Sequence, residues 1–452
     1  MTKPPTSQPP TSGKAPTGKA GGRRPGLHRD RAPAHPPGGP AAGANPARAA
    51  AMLLLQAVLE RRQGLEDALD SLPARDPRDR ASGHRIAAAV LRRLGTLDAV
   101  LEPYLKREPP AEVREALRIG AAELLLLGTP PHAAVSAAVD LVPRPFAGLV
   151  NAVLRRVAEA GETALEGIDA DRTDTPAWLW TAWHGAYGAA GARAIAAALR
   201  SPAPLDLSLM PGAAPPEGAI LLPNGTARLP AGTRFSDLPG QETFWAQDAA
   251  ATLPARLLAV RPGERVADLC AAPGGKTAQM VTAGAQVTAV EKDARRCERL
   301  LENLARLGLK AEVVVADAAE WRPSAPLDAV LLDAPCTATG TIRRHPDVAR
   351  LKRPTDIAAL VPIQARLLAA AAAMLRPGGR LVFAVCSMQP EEGEGHLRGC
   401  AELGLLPDPI RDEEMPWLEE AITAGGNLRT RPDFWGEQGG MDGFFAARFV
   451  KG

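Results

Sequence analysis

Apolar residues along the chain follow two patterns, one typical of helices and one typical of alternating strands and helices. Residues 46–165 carry apolar side chains three and four positions apart, which predicts an all-α domain. From residue 246 to residue 452, short apolar runs alternate with amphipathic stretches, which predicts a parallel sheet with helices on both faces. Residues 166–245 are rich in Pro and Gly and predict a small α+β linker subdomain. The predicted fold class is therefore α/β, preceded by an all-α domain and this linker.

The same pattern places the individual elements. Helices of the first domain are predicted at residues 49–61, 85–94, 111–127, 133–142 and 146–160. Strands are predicted at 205–210 and 219–222 in the linker, and at 266–269, 286–290, 311–315, 327–332 and 380–385 beyond it. Helices between the later strands are predicted at 277–283, 294–307 and 357–375. This alternation predicts a doubly wound sheet with the strand order 3-2-1-4-5.

The N-terminal segment differs from the rest in charge and composition. Residues 1–50 contain eight Lys and Arg against one Asp, whereas the formal charge of the whole chain is +2. Residues 1–45 are rich in Pro and Gly and lack aromatic residues, so they predict a disordered basic tail, either without a partner or weakly attracted to nucleic acid. The tail has no apolar core typical of a secretory signal, and no later stretch is expected to span a membrane.

The five cysteines are too few and too irregular for a disulfide framework. They occur at positions 270, 297, 336, 386 and 400, and no CxxC pair is present. A structural zinc site is therefore not expected, and no other metal is predicted. Free cysteines fit a reducing cytoplasmic compartment.

The stretch RVADLCAAPGGK, residues 265–276, predicts a buried strand, a tight turn and the start of a helix. Gly274 and Gly275 allow a ligand to approach the backbone, and the helix N-terminus favours a negative group. The alternative is an ordinary connection with two turn glycines. A phosphate-binding GxxxxGKT loop would need Gly where Cys270 stands, and GxGxxG is absent, so nucleoside triphosphate and classical NAD binding are both disfavoured.

Acidic residues follow the next two predicted strands, where ligands bind in such sheets. Glu291 lies about twenty residues past the glycine turn, the place of an acid that accepts ribose hydroxyls. Asp317 ends the following strand, where an adenine amino group would lie. The alternatives are an exposed carboxylate without a role for Glu291 and an Asx-turn for Asp317.

Cysteines follow the fourth and fifth predicted strands. Cys336 comes after Asp333-Ala334-Pro335, and Cys386 ends the fifth strand. Strands four and five are neighbours in the predicted order, so both sulfurs are expected in one pocket. Cys297 and Cys400 lie in predicted helices away from the strand ends and are interpreted as structural.

These residues fit one kind of chemistry. A ribose-binding acid and a small-residue turn without a phosphate loop suit S-adenosylmethionine, whose methyl group is electrophilic. A thiolate allows covalent catalysis on a carbon that is not nucleophilic by itself, and cytosine C5 is such a carbon. Sulfur addition at C6 makes C5 nucleophilic, and loss of the C5 proton with elimination of the thiolate releases the product.

Several motifs resemble known RNA (cytosine-C5) methyltransferases. They are DLCAAPGGK, DAPCTATGTIRRHPDV and VCSMQPEE, with DGFFAARF near the end of the chain. The stretch HAAVSAAVDLVPRPFAGLVNAVLRRV resembles the last helices of the antitermination factor NusB, which implies an RNA- or protein-binding module. From about residue 46 onward the chain is similar to the RsmB (Sun/Fmu) family of 16S ribosomal RNA methyltransferases. The resemblance implies a NusB-like helical domain, a Rossmann-like S-adenosylmethionine-dependent domain and 16S rRNA as the partner.

The resemblance also implies residue roles. Cys386 would attack C6, Cys336 would assist release of the methylated base, and Asp333 would contact the cytosine N3/N4 edge. The implied cofactor-binding residues are Cys270, Ala271, Ala272, Pro273, Gly274, Gly275, Lys276, Glu291, Asp317 and Asp333. The family usually has Thr before the nucleophile, whereas this chain has Val385, so a hydrogen bond made by that Thr would be missing.

The basic run Arg343-Arg344-His345 follows the Cys336 turn and predicts contacts with RNA phosphate or bases, the alternative being a solvated loop. The target cytosine must be unstacked for sulfur and methyl to reach it. Three other functions stay open: the same chemistry on tRNA or another rRNA site, a non-catalytic RNA-binding factor, and a dehydrogenase, which the missing fingerprint disfavours. A monomer is expected.

Overall fold

The structure is a computed structural model that describes residues 44–73 and 76–452. The predicted basic tail, residues 1–45, lies outside the described residues except for Ala44 and Asn45. The described chain therefore begins at the first helix of the N-terminal bundle.

The first part of the chain is a helical bundle, as predicted. Its helices are α1 (Pro46–Leu59), α2 (Leu65–Asp70), α3 (Pro77–Arg92), α4 (Leu94–Leu101), α5 (Ala111–Leu125), α6 (Pro131–Val139) and α7 (Arg144–Ala160). Asn45 caps α1 by accepting the Ala47 N–H at 3.1 Å, and a proline in the first turn suits the start of a helix. Helix α5 packs closely on α7 at Gly120, where a Cβ would lie 2.3 Å from the Leu154 side chain. The bundle therefore has its own apolar core.

The linker contains two helices and a small antiparallel sheet. Its elements are α8 (Ala170–Asp174), α9 (Ala177–Leu199), β1 (Leu205–Leu209), β2 (Ile220–Leu221), β3 (Ala227–Leu229) and β4 (Phe244–Ala246). Helix α9 is kinked at Gly188, and the strand order is β2-β3-β1-β4. The buried Trp183 packs with Leu179 and Ile195 on one face of α9. This face joins the linker to the last part of the chain, because Ile342 and Met388 belong to the same apolar cluster.

The last part of the chain is a doubly wound sheet extended by antiparallel strands. Its strands are β5 (Arg265–Leu269), β6 (Gln286–Glu291), β7 (Glu312–Val315), β8 (Leu327–Asp333), β9 (Leu375–Val385), β10 (Leu405–Pro407), β11 (Leu428–Arg429) and β12 (Phe445–Lys451). Its helices are α10 (Leu253–Leu258), α11 (Gly275–Thr282), α12 (Ala294–Arg306), α13 (Val348–Leu351) and α14 (Pro354–Met374). The sheet order is β10-β12-β9-β8-β5-β6-β7, and β5 to β9 are parallel. The predicted order 3-2-1-4-5 is thus confirmed.

Helix α14 corrects one expectation from the sequence. By length and composition alone, residues Pro354–Met374 could cross a membrane, although no such stretch was expected. Its apolar residues instead pack against the sheet, among them Leu367, Leu368 and Met374. Gln364 on the same helix is buried and hydrogen-bonded to the loops beyond β8 and β9. The helix is therefore part of the core of this domain.

The helical bundle contacts the segment that follows Cys336. The Leu65 N–H at the start of α2 donates to Asp347 Oδ2 at 3.0 Å, and Arg92 Nη2 at the end of α3 donates to the Arg343 carbonyl at 2.9 Å. Arg350 Nη2 donates to the Leu91 carbonyl of α3 at 3.3 Å and to the Asp174 carbonyl of the linker at 2.7 Å. Residues 343–351 thus lie between the bundle and the sheet.

Candidate active site

The turn after β5 is shaped for close approach of a ligand. Cys270 has φ +61° and Gly274 has φ +99°, both in the left-handed region. A Cβ on Gly274 would lie 3.1 Å from Leu300 Cγ on α12, so the turn packs tightly against that helix. Helix α11 begins at Gly275 and directs its first N–H groups toward the ends of the strands. Residues 270–276 therefore form the predicted turn of small residues, and this turn leads directly into the N-terminus of α11.

Glu291 at the end of β6 is buried and only partly satisfied. Its Oε1 accepts the backbone N–H groups of Lys292 and Asp293 at 2.9 and 3.1 Å. Its Oε2 lies 3.1 Å from Arg296 Nη1 but accepts no hydrogen bond from the described residues. A buried carboxylate oxygen in this state can still accept a hydroxyl.

Asp317 after β7 is more fully engaged. Its Oδ1 accepts the Ala319 N–H at 2.9 Å, the Asx-turn that was the alternative interpretation. Lys292 Nζ and Arg366 Nη2 lie 3.2 and 3.1 Å from its Oδ2. The backbone hydrogen bond, followed by these cations, lowers the pKa of Asp317 despite some burial. The carboxylate lies beside the strand ends, and its predicted contact with adenine stays a prediction.

The two candidate catalytic cysteines face each other. Cys336 Sγ and Cys386 Sγ are 3.5 Å apart, and both residues are partly exposed. Neighbouring strands bring them together, since Asp333 of β8 pairs with Ala384 of β9. The Gly340 N–H also donates to the Cys386 carbonyl at 3.0 Å and ties the two loops. Val385, which stands where the family usually has Thr, is fully buried in the apolar core.

The surroundings of the two sulfurs are electrostatically different. Lys276 Nζ lies 2.7 Å from Asp333 Oδ2. Burial lowers the pKa of Lys276, but the negative charge of Asp333 outweighs burial and the pKa is raised overall. Cys386 makes a smaller contribution in the same direction. The pKa of Arg344 is also raised, because the charge of Asp442 outweighs the effect of burial and the Cys386 charge again contributes. The hydrogen bond that the Cys336 thiol donates to Cys386, burial, and the charges of Cys386 and Glu392 raise the pKa of Cys336 well above its usual value. Lys276 and Arg344 are therefore near enough to interact with Cys386, while Cys336 is held as a thiol.

The predicted RNA contact of Arg343 is wrong. Its side chain is buried, with Nη2 2.5 Å from Asp248 Oδ2 and Nη1 donating to the Gly439 carbonyl at 2.7 Å. The guanidinium forms a buried ion pair with Asp248, which is far away in sequence, so it does not reach the surface. Arg344 is exposed enough to meet a ligand but is paired with Asp442 at 2.5 Å. Burial and the Arg344 charge lower the pKa of His345 to about 4. Contacts of Arg344 and His345 with RNA stay predictions.

Comparison with known proteins places the chain among rRNA methyltransferases. A family model described as 16S rRNA methyltransferase RsmB/F matches residues 255–450, and a NusB family model matches residues 45–159. Ribosomal RNA small subunit methyltransferase B of Xanthomonas campestris is 38% identical over 435 residues, covering 89% of this chain and 97% of that protein. The protein of the same name from Thermus thermophilus is 38% identical, with coverage of 84% and 92%. The chain belongs to the RsmB family.

Solved structures share its fold. The crystal structure of PH0851 aligns with a TM-score of 0.65 at 21% identity, over 91% of this chain and 100% of that one. A methyltransferase homolog protein from Pyrococcus horikoshii aligns with a TM-score of 0.50 at 24% identity, over 60% and 93%. At this identity the likeness shows the fold alone. The predicted Rossmann-like methyltransferase domain behind a NusB-like helical domain is confirmed.

The RsmB family is S-adenosylmethionine-dependent, and the described residues fit that cofactor. The buried Glu291 oxygen without a hydrogen bond suits a ribose hydroxyl, and the first N–H groups of α11 suit a carboxylate. Asp268 at the end of β5 is buried and accepts the Thr277 hydroxyl at 2.5 Å, which fixes the first turn of α11. The site therefore provides partners for both ends of the cofactor.

Sequence reasoning missed Glu392. This residue is fully buried and accepts hydrogen bonds from the residues that follow both cysteines, Thr337 and Ser387. It belongs to VCSMQPEE, six residues after Cys386, so the signal that could have found it was an acid inside an otherwise catalytic motif. The loop that contains its hydrogen-bond partner Thr337 is 55 residues earlier in the chain, and a local sequence pattern cannot predict a contact over that distance.

Proposed function

We propose that the protein transfers the methyl group of S-adenosylmethionine to C5 of a cytosine in 16S rRNA through a covalent adduct between Cys386 and cytosine C6. The observation that carries the proposal is the 3.5 Å approach of the Cys336 and Cys386 sulfurs beside the Lys276–Asp333 ion pair. The 16S target is supported by the names of relatives that align over nearly their full length. Such an enzyme would work in the cytoplasm, where ribosomal subunits are assembled.

The residues that would hold the cofactor lie at the ends of β5, β6 and β7. They are Cys270, Ala271, Ala272, Pro273, Gly274, Gly275, Lys276, Glu291, Asp317 and Asp333. When bound, S-adenosylmethionine supplies an electrophilic methyl group. Glu291 would accept ribose hydroxyls, and the N-terminus of α11 would bind the carboxylate of the methionine moiety.

Cys386 would act as the nucleophile. The ammonium of Lys276 and the guanidinium of Arg344 lie close enough to interact with the negative charge that this sulfur carries when it attacks. Attack of Sγ on cytosine C6 forms the C–S bond, breaks the C5–C6 π bond and places its electron pair on C5, so that C5 becomes nucleophilic. Asp333, held by Lys276, would contact the N3/N4 edge and orient the base.

Cys336 would assist release of the product. Its pKa is raised first by the hydrogen bond that it donates to Cys386, and the Cys386 charge adds to the effect. Both influences vanish once Cys386 is bonded to carbon, so Cys336 can then lose its proton to water and accept the C5 proton of the adduct. The electron pair of that C–H bond restores the C5–C6 double bond and expels Cys386 as thiolate.

The test is methyl transfer from tritiated S-adenosylmethionine to 16S rRNA and to small subunits from cells that lack the gene, followed by bisulfite mapping of the label. We expect label at C5 of one cytosine. Label that appears only in tRNA or in another rRNA would show that 16S rRNA is not the substrate. RNA binding without any transfer would favour a non-catalytic factor, and Cys386→Ala is the control for background transfer.

A further inference from the structure

One buried carboxylate connects the loops that carry both cysteines. Glu392 Oε1 accepts the Thr337 N–H at 2.9 Å, and its Oε2 accepts the hydroxyls of Thr337 and Ser387, the latter at 2.6 Å. Thr337 directly follows Cys336, and Ser387 directly follows Cys386. Each loop is therefore fixed, one residue away from its sulfur, to the same side chain.

Helix α14 contributes one more side chain, Gln364, to the hydrogen bonds around Glu392. Gln364 Nε2 donates to Glu392 Oε1 at 3.0 Å and to the Pro335 carbonyl, the residue before Cys336, at 2.9 Å. Gln364 and Glu392 are both fully buried. The hydrogen bonds that Glu392 accepts come from neutral donors, namely Thr337 and Ser387 of the two loops and Gln364 of α14. A carboxylate held this way is costly to bury unless every donor stays in place.

We propose that Glu392 is a positioning residue that sets the separation of the Cys336 and Cys386 sulfurs and biases Cys336 toward the thiol. The inference rests on the proposed function for its catalytic consequence, but the geometry it describes does not depend on RNA. The cysteines lie beyond the ends of two parallel strands, where the sheet ladder no longer fixes the chain. Glu392 supplies the missing connection between the two loops.

The charge of Glu392 adds a second effect to the geometric one. It is among the causes that raise the pKa of Cys336, after the Cys386 hydrogen bond, burial and the Cys386 charge. The other charged groups at these strand ends are Lys276, Asp333 and Arg344, and the first and last of these act on Cys386. An anion therefore lies near Cys336, whereas two cations lie near Cys386.

Two substitutions separate the geometric and electrostatic effects. Glu392→Ala removes the connection, and we expect kcat for methyl transfer to fall on the order of 100-fold, because a shift of about 1 Å in a reacting group has such an effect. In Glu392→Gln the amide can face the two hydroxyls, which are able to accept as well as donate, so the loops stay connected. We expect that variant to lose about tenfold or less in kcat. The dissociation constant for S-adenosylmethionine should change in neither.

The matched control is Glu391→Gln, which removes a carboxylate from the neighbouring, exposed position. Its kcat should equal that of the unmodified protein. If Glu392→Ala keeps full kcat, or if the Gln variant is as inactive as the Ala variant, Glu392 does not position the cysteines in the way proposed.

A second measurement needs no RNA. In a Cys386→Ser background, the rate of iodoacetamide alkylation of Cys336 is followed against pH by peptide mass spectrometry. Adding Glu392→Gln should move the midpoint to lower pH by on the order of one unit, whereas Glu391→Gln should not move it. An unchanged midpoint would overturn the electrostatic part of the proposal. If the midpoint shifts while the unmodified protein methylates no RNA, the proposed function fails and the role of Glu392 toward the cysteines stands.

Discussion

Two identical side chains, Cys336 and Cys386, have different chemistry in this protein because their neighbours differ. Their sulfurs are 3.5 Å apart, yet cations lie near Cys386 and the carboxylate of Glu392 lies near Cys336. Of two sulfurs this close, only one can readily be a thiolate, since two like charges at this distance repel strongly. The difference in surroundings leaves Cys336 with a proton and supports the proposed role of Cys386 as the nucleophile.

Single substitutions of the two cysteines should therefore give different products. Cys386→Ala should abolish methyl transfer while S-adenosylmethionine binding is retained, because only the attacking sulfur is lost. Cys336→Ala should form the adduct but release it slowly, so that a covalent protein–RNA complex accumulates. The complex is measured as a shifted band on a denaturing gel.

The buried Cys400 provides the control for these variants. It lies in the apolar core away from the strand ends, and Cys400→Ala should leave both turnover and the gel pattern as in the unmodified protein. If the adduct accumulates in Cys386→Ala instead of Cys336→Ala, the two roles are reversed.

Glu291 is expected to determine cofactor affinity. Glu291→Gln leaves the size of the side chain unchanged but removes the charge that would strengthen hydrogen bonds to ribose hydroxyls, and such bonds contribute about 1.5–3 kcal/mol each. We expect the dissociation constant for S-adenosylmethionine, measured by calorimetry, to rise about tenfold or more. Glu298→Gln on the exposed face of α12 is the control and should not change it. Equal affinity in both variants would exclude a ribose contact.

Residues at strand ends were the most accessible to sequence reasoning. The order 3-2-1-4-5 follows from the alternation of elements, and this order alone brings Cys336 and Cys386 together. Arg343 could not be assigned in the same way, because its partner Asp248 lies 95 residues earlier and no periodic pattern connects them. Glu392 was missed for the same reason, since its partner Thr337 is 55 residues away. Periodicity predicts which elements form, whereas buried polar pairs depend on contacts between distant segments.

At the scale of elements, strand β5 carries a buried acid at its carboxyl end. Burial raises the pKa of Asp268 to about 7, although the Thr277 hydroxyl and Lys276 oppose the shift. The folded state therefore holds a proton that the unfolded state releases from about pH 4 upward. Between these values the contribution of Asp268 to the free energy of unfolding falls as the pH rises.

Asp268→Asn should remove this pH dependence. We expect the unfolding free energy of the variant, relative to the unmodified protein, to increase from pH 4 to pH 8 by on the order of a few kcal/mol. Urea titrations at several pH values measure the difference, which cancels the contributions of all other groups. A constant difference across this range would show that Asp268 is ionised in the folded protein.

The loop between Cys336 and α13 is held by buried ion pairs. Arg343 binds Asp248, its Nε lies 3.7 Å from Asp442 Oδ1, and Arg344 binds the other oxygen of Asp442. The Gly443 N–H also donates to the Gly340 carbonyl at 2.9 Å. The start of DGFFAARF thus supports the loop that follows Cys336, although the two segments lie far apart in sequence.

Asp248→Asn should destabilise the fold, because it removes the carboxylate that lies closest to the buried Arg343 charge. We expect a loss of about 3–5 kcal/mol in the free energy of unfolding, measured with urea. Asp169→Asn is the control: Asp169 forms an exposed pair with Arg193, and its loss should change stability by about 1 kcal/mol or less. If Asp248→Asn weakens RNA binding without changing stability, the original interpretation of Arg343 as an RNA contact would be restored.

At the scale of the whole molecule, the helical bundle borders the loop that follows Cys336 and also contains a basic cleft. The cleft has a volume of about 700 Å³ and is lined by the segment before α5 and by α7. Tyr104 and Phe146 contribute aromatic side chains, and Lys106, Arg107 and Arg156 contribute positive charge. The carboxylate in the lining, Glu108, is already bound by Arg114. Aromatic rings beside positively charged side chains suit single-stranded RNA, which is bound by base stacking and phosphate contacts.

Replacing Lys106, Arg107 and Arg156 together by Ala should therefore raise KM for RNA and leave kcat unchanged, because the cleft contacts substrate away from the reacting base. Each lost phosphate contact lowers the dependence of log Kd on log salt by about 0.7 for a single strand, so the slope should fall by about 2. Arg155→Ala is the matched control, because Arg155 is exposed on α7 but does not line the cleft. A fall in kcat would mean that the cleft acts on the catalytic loops through the bundle. If KM and the salt slope both stay unchanged, RNA does not occupy this cleft, and a protein partner would then account better for its aromatic side chains.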